Sequence, residues 1–199
     1  ARNESGRILR DNVYGSLGDD AQRRDFTIKA LYYDPSTERI LDYANGVHDI
    51  RNRLIRLIGD PEKRYQEDPV RMLRAVRFAA KLDFDIEKHS AAPLPRLARL
   101  LHEIPSARLF DEVLKLFLAG NAEHTFELLL EYNLFAPLFP AAAAALKRDP
   151  EYAGELIRLA LASTDRRIEQ GKTVTPACLC AALLWPALPA RVSELQDKG

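Results

Sequence analysis

The stretch from Glu67 to Lys81, EDPVRMLRAVRFAAK, restricts the possible folds of this chain more than any other. Asp68 followed by Pro69 reads as an N-cap and a first-turn proline, so a helix is expected to begin there. At about 100° per residue, Pro69, Met72, Leu73, Val76, Ala79 and Ala80 fall on one arc, and Arg71, Arg74, Arg77 and Lys81 on the opposite one. One side must be buried and the other is cationic. Val70 and Phe78 interrupt the cationic arc, which predicts that part of that face is covered.

By pattern alone, this is equally a surface helix whose arginines are solvated or paired with nearby acids. A sharper reading starts from hydrogen-bond inventory. The Asp68 carboxylate accepts, and the Arg71 guanidinium donates in a fixed fork. Adenine and cytosine both offer an amino donor beside a ring-nitrogen acceptor, so an acid and an arginine one turn apart suit either base. Guanine and uracil, with donors and acceptors reversed, are rejected. Arg74 and Arg77 extend the cationic row for roughly 9 Å at about 1.5 Å per residue, far enough to meet a triphosphate. Against this, Asp68 is also wanted as the helix cap.

The 199 residues, 47% of them hydrophobic, suffice for one large domain or two small ones with a packed core. Twelve prolines against nine glycines, with abundant Ala, Leu and Arg, favour helices joined by proline-marked turns. The formal charge is zero but unevenly spread: residues 51–108 carry 13 Lys/Arg against 8 Asp/Glu, an excess of five, while both flanks are acidic. That is a modest anion-binding footprint, weaker than a free-standing RNA-binding domain shows. Cys178 and Cys180 would point about 200° apart on a helix, which suits two buried thiols in a reducing compartment rather than a disulfide or metal. His48, His89, His102 and His124 show no metal spacing. No apolar run approaches the roughly 18 residues of a membrane span, and no signal peptide is visible, so cytoplasm is the expected location.

Taken in order, Arg7–Tyr14 has a weak strand-like pattern, and Asp19–Ile28 reads as an acid-capped helix. Ala30–Tyr33 and Arg39–Tyr43 read as two strands joined by the turn-rich Asp34–Glu38. Gly46 marks a turn, Asp49 caps the next short helix, and Leu54–Ile58 alternates like a strand that Gly59-Asp60-Pro61 stops. Beyond Asp68 the chain is helical: Leu94–Leu101, Ile104–Leu118, His124–Tyr132, Ala141–Leu146, Tyr152–Gln170 and Pro176–Trp185 are expected helices. Leu134–Pro140 is an apolar connector. Arg108 is expected to pair along its own helix with Asp111 or Glu112. Arg23, Arg24 and Asp25 have an ordinary reading as two bases and an acid at a helix end.

The run EDPVRMLRAVRFAAKL, preceded by RLIGDPEKRY and further upstream by RRDFTIKALYYD and DYANGVHDI, resembles the class II nucleotidyltransferases, most closely their bacterial poly(A) polymerase branch. The resemblance runs from GRILRDNVYG to PACLCAALLWP, and several motifs in one order make it specific. It implies an α+β fold: a partial nucleotidyltransferase head with a short hairpin (1–58), a helical neck (59–104) and a helical body (105–199). It implies addition of AMP from ATP to RNA 3′ ends without a template. Asp68 and Arg71 would read the base, and Arg24, Asp25, Arg74 and Arg77 would line the nucleotide site. Asp68 is alternatively an added catalytic carboxylate. The family's usual Asn is Lys29 here, which cannot accept a hydrogen bond. The close rival is a tRNA CCA-adding enzyme, and a reading of another class is a non-catalytic RNA-binding helical scaffold.

Such polymerases need two neighbouring carboxylates to hold Mg2+. Asp83-Phe84-Asp85 has that spacing but follows the arginine helix, whereas the family's metal pair precedes RRDFT. It is expected to be a polar helix exit with Phe84 and Ile86 turned inward. The magnesium ligands are therefore expected outside this chain, which reads as an incomplete part of the enzyme, inactive alone. No protein partner is indicated.

Overall fold

The computed structural model describes residues 16–196, so the strand expected at Arg7–Tyr14 lies outside the described residues. Helix α1 (Leu17–Arg23) starts where Ser16 and Asp19 cap each other's backbone, and it ends at Arg24. It does not continue to Ile28 as the sequence suggested. Phe26 instead makes an antiparallel bridge to Leu57, and Thr27–Lys29 form one 3-10 turn. An aromatic residue followed by a β-branched one favours extended backbone, and Phe26 is wholly buried, so burial decides against helix. Strands β1 (Leu31–Asp34) and β2 (Arg39–Asp42) form the expected antiparallel hairpin, with Tyr32 opposite Leu41.

Gly46 begins a helix, α2 (Gly46–Arg51), rather than a bare turn. Its cap is Asp42, whose carboxylate accepts from the N–H groups of Ala44, Gly46 and Val47 at 2.9–3.1 Å. Asp49, expected at a cap, is inside: it is 1% exposed, and accepts from Thr27 Oγ1 at 2.7 Å and Arg56 Nε at 3.0 Å. A carboxylate so placed needs charged company, and Arg56 supplies it. Gly46 meets a different demand. A Cβ there would lie 2.3 Å from the Thr27 carbonyl oxygen, so this helix touches backbone that no side chain could approach.

β3 (Leu54–Ile55) is shorter than expected. Helix α3 (Pro61–Glu67) follows it, capped by Asp60 onto the Glu62 N–H; the Asp60-Pro61 pair repeats the start signal of Asp68-Pro69, which the sequence reading took only as a stop. Helix α4 (Val70–Leu82) begins one residue later than the capping argument implied. Pro69 is already helical, while Asp68 stays extended and accepts the Val70 N–H at 3.3 Å. Its apolar face is buried as the pattern required, and Val70 and Ala75 join it. Asp83 ends α4 in a left-handed conformation and pairs with Arg53. β4 (Asp85–Ile86) then pairs parallel with β3. Ile86 is buried and Phe84 packs against the core, as expected for a helix exit.

The rest is helical: α5 (Lys88–Ala91), α6 (Leu94–Leu97) continued by a 3-10 turn (Ala98–Glu103), α7 (Ser106–Phe117), α8 (Ala122–Glu131) and α9 (Phe135–Leu138). Then come α10 (Pro140–Arg148), α11 (Pro150–Glu169), α12 (Pro176–Leu184), a 3-10 turn (Trp185–Ala187) and α13 (Leu188–Gln196). The expected apolar connector thus contains α9, whose Phe135 stacks edge-on against Phe126 at 5.0 Å. One apolar cluster runs from Phe26 through α4 to Leu183, so residues expected in three units share a core. The thiols are not buried: Cys178 is exposed and Cys180 half-buried, because α12 turns Leu179 and Leu183 inward instead.

Arg56 also reaches Glu87, at 3.4 Å, so one guanidinium joins carboxylates on either side of β3. Burial would raise the Glu87 carboxyl, but hydrogen bonds from His89 and from the Ser90 N–H outweigh it and hold it at about 2. A depressed carboxyl stabilises the fold fully above its ordinary value of 4.5 and loses that contribution as pH falls towards about 2. In acid titrations followed by circular dichroism, the stability gap between the parent and Glu87→Gln should therefore be widest above pH about 5 and close near pH about 2. Gly46→Ala should cost roughly 1–3 kcal/mol, seen as a lower urea midpoint; an unchanged midpoint would mean that α2 can retreat from Thr27 freely.

Candidate functional site

The segment between α1 and β1 lies across the cationic face of α4, and one carboxylate fastens it. Asp25 Oδ1 accepts from Arg71 Nε at 2.8 Å, and Oδ2 from Arg74 Nη1 at 2.7 Å. Its backbone is held too, because the Ile58 N–H donates to the Asp25 carbonyl at 3.0 Å. Burial pushes the Asp25 carboxyl up, but the two guanidinium hydrogen bonds prevail and hold it below the usual carboxylate range. Next along the chain, Phe26 meets Phe78 edge-on at 5.6 Å. That is the cover predicted for the apolar residue among the arginines.

Between this segment, α4 and α7 is an open cleft of about 430 Å³. Its apolar floor is the partly buried Phe78 ring, backed by the wholly buried Phe26, and among the described residues its walls carry the cations Arg23, Arg24, Lys29, Arg74, Arg77 and Lys115 against two acids, Asp25 and Glu112. Arg24 pairs with Asp20 at 2.7 Å, Arg74 with Asp25 at 2.7 Å and Lys115 with Glu112 at 2.9 Å. Among the described residues Arg23, Lys29 and Arg77 have no carboxylate partner, and Arg77 Nε is shielded from solvent with no acceptor. The site is built to take an anion that also presents a flat apolar surface. Two roomier hollows, of about 540 and 600 Å³, lie among the later helices, the first lined chiefly by alanine and leucine with two arginines at its edge, and the second by three acids that outnumber its single arginine. Charge therefore singles out the smaller cleft.

Of the residues singled out from sequence, Arg24, Asp25, Arg74 and Arg77 line this cleft together. Asp68 and Arg71 stand beside it and are engaged elsewhere. Arg71 is 13% exposed, and besides Asp25 it donates to the Arg64 carbonyl at 2.7 Å and Glu67 at 3.2 Å. Asp68 Oδ2 accepts from Arg108 at 2.8 Å. Arg108 thus reaches across to the start of α4 rather than along its own helix, because Glu112 is turned inward, 4% exposed, towards Lys115 and Arg74. The sequence reading missed the α7 contribution, Glu112 and Lys115, since nothing local links α7 to an arginine helix some thirty residues earlier. The aromatic floor was half visible, in Phe78 alone.

The carboxylates of the cleft do not fit a divalent cation. Asp25 is bound by two guanidinium groups and Glu112 by an ammonium, and among the described residues no three His, Cys, Asp or Glu side chains cluster. No helix among the described residues is long and apolar enough to cross a membrane.

Residues 2–56 match the family model described as the poly A polymerase head domain, and residues 83–146 that described as a probable RNA and SrmB-binding site of polymerase A. Poly(A) polymerase I of Salmonella typhimurium is 50% identical over 200 residues, spanning all of this chain and 43% of that protein. The chain belongs to the poly(A) polymerase and CCA-adding enzyme family. A CCA-adding enzyme of Lactobacillus helveticus is 40% identical over 119 residues, 60% of this chain and 30% of that enzyme. The solved Bacillus stearothermophilus CCA-adding enzyme in complex with CTP superposes with a TM-score of 0.58 at 25% identity, covering 87% of this chain and 60% of that one. The chain thus spans less than half the length of the curated relatives it matches, and α4 lies between the two stretches that the family models match.

If Asp25 fastens the segment to α4, Asp25→Ala leaves two largely buried guanidinium groups facing each other. The loss should be roughly 2–3 kcal/mol in urea denaturation, with Asp25→Asn intermediate. An unchanged midpoint would show that the segment is held by Phe26 alone.

Proposed function

We propose that this chain is the base-selecting and phosphate-gathering part of a template-independent RNA adenylyltransferase, which adds AMP from ATP to RNA 3′ ends. The observation that carries the reading is the cleft itself, three unpaired cations around an aromatic floor, on a chain half identical along its whole length to poly(A) polymerase I. Arg24, Asp25, Arg74 and Arg77 form the nucleotide site. Arg74 and Arg77 take phosphate oxygens, and Asp25 fixes the directions of Arg71 and Arg74. Asp68 and Arg71 read the base, and both must exchange a partner to do so. Arg71 has donors to spare once the half-exposed Glu67 lets go; Asp68 Oδ1, which accepts the Val70 N–H at 3.3 Å, turns to the adenine amino group while Arg108 holds Oδ2.

The metal chemistry belongs to residues other than those of the cleft, and Mg2+ held there would activate the attacking 3′-hydroxyl. The division into head (1–58), neck (59–104) and body (105–199) is kept as a working partition. ATP and RNA 3′ ends as substrates are what support a cytoplasmic location.

The CCA-adding alternative is favoured by one observation, that solved CCA-adding enzymes share the fold, and nucleotide use distinguishes it. The protein at the full length its gene encodes should extend an RNA primer with ATP alone and leave CTP unused; CTP incorporation would put the chain with the CCA-adding enzymes. Incorporation of neither would favour the non-catalytic scaffold. Arg71→Ala should raise the KM for ATP about tenfold and narrow the gap between ATP and the other nucleotides. Unaltered discrimination among the four nucleotides would remove the base-reading role.

A further inference from the structure

Two of the three unpaired cations of the cleft converge on one ring. Lys29 Nζ lies 5.2 Å from the centre of the Phe78 ring, and the Arg77 guanidinium carbon lies 5.0 Å from it. They come from different parts of the fold: Lys29 ends the 3-10 turn that follows Asp25 and Phe26, and Arg77 sits on α4 one turn beyond Arg74. A ring offers each cation about 0.5–1 kcal/mol at an exposed site, which neutralises neither charge. Among the described residues no carboxylate does so. The acids of the cleft are committed to Arg71, Arg74 and Lys115, and Arg77 Nε still lacks an acceptor. What this pair requires is a compact group with several anionic oxygens.

Position along α4 says which part of a nucleotide that is. The base-reading candidates, Asp68 and Arg71, are at the start of the helix, and Arg74 is next to Asp25. Arg77 lies about 4.5 Å further along the axis, at about 1.5 Å per residue, and only there does Lys29 come into play. We propose that Lys29 and Arg77 form a clamp for the phosphate tail of the incoming nucleoside triphosphate, and so for the pyrophosphate that AMP transfer releases. Lys29 is thereby a phosphate-binding residue at a position where the family's usual asparagine carries no charge. The clamp rests on the nucleotidyltransferase reading. Because Lys29 follows α1 and Arg77 sits on α4, a bound tail would also join those two elements.

The test uses the full-length protein, with inorganic pyrophosphate, ATP and AMP as probes in titration calorimetry. Lys29→Asn, which installs the family's residue at an exposed position, should keep the unliganded melting temperature. It should weaken pyrophosphate and ATP about tenfold and AMP less than twofold, while Lys29→Arg should bind all three nearly as the parent does. Pyrophosphate binding unchanged in Lys29→Asn, or a loss confined to an RNA oligonucleotide, would overturn the clamp and leave adenylyl transfer standing. A parent that bound neither ATP nor pyrophosphate would overturn the reading beneath it as well.

Discussion

The contact on which this structure depends is a single carboxylate, Asp25, shared between Arg71 and Arg74. Without it, α4 would present a row of partly buried guanidinium groups to a segment that contributes Arg23, Arg24 and Lys29, and repulsion would oppose docking. With it, one negative charge serves two arginines, lines up the segment and brings Phe26 onto Phe78. The geometry is favourable for a buried ion pair because both carboxylate oxygens are used and the neighbouring Arg71 donors find Arg64 and Glu67. The cleft is what remains when those charges have been matched. Its unpaired cations are a remainder, and their number decides what chemistry it can attract.

Glycine and acid placement around α2 serves the same end by other means. Gly46 admits the Thr27 carbonyl to a distance that no side chain tolerates, and Asp49 takes the Thr27 hydroxyl from below. The 3-10 turn that presents Lys29 is thus fixed at its start by a hydrogen bond and a close backbone contact. Arg56 continues the connection to Glu87, on the far side of β3. The cleft wall formed by residues 23–29 is therefore supported from behind as well as pinned in front.

Much of this was legible in the sequence, for identifiable reasons. The arc of α4 was readable because period and burial agree there, and the hairpin because two short apolar strands flank a turn-rich stretch. Helix α1 was drawn too long because local signals cannot register that Phe26 pairs with Leu57, thirty-one residues on. Asp49 was misread for the same reason: its partners, Thr27 and Arg56, are remote in sequence. At the site, residue type and spacing indicated two members of the cleft wall, Arg74 and Arg77, and the family resemblance added Arg24 and Asp25. They could not indicate that Arg108 turns away from its own helix to hold Asp68, or that Arg71 is engaged in three directions. Hydrogen-bond inventory says what a side chain can do, and only packing says which of its neighbours reaches it first.

Helix α4 packs against α7 and α8, and three of its buried residues, Ala75, Ala79 and Ala80, carry side chains no larger than a methyl group. Methyl groups on that side let the neighbouring helices come close, and close neighbours leave α4 no freedom to roll about its axis. The azimuth of every arginine on the opposite side is thereby set by residues that never meet a ligand. A bulkier side chain at one of these alanines would act as a wedge, swinging the whole cationic row by the same angle. Aim along this helix is a collective property, adjustable from behind without touching a single charged group.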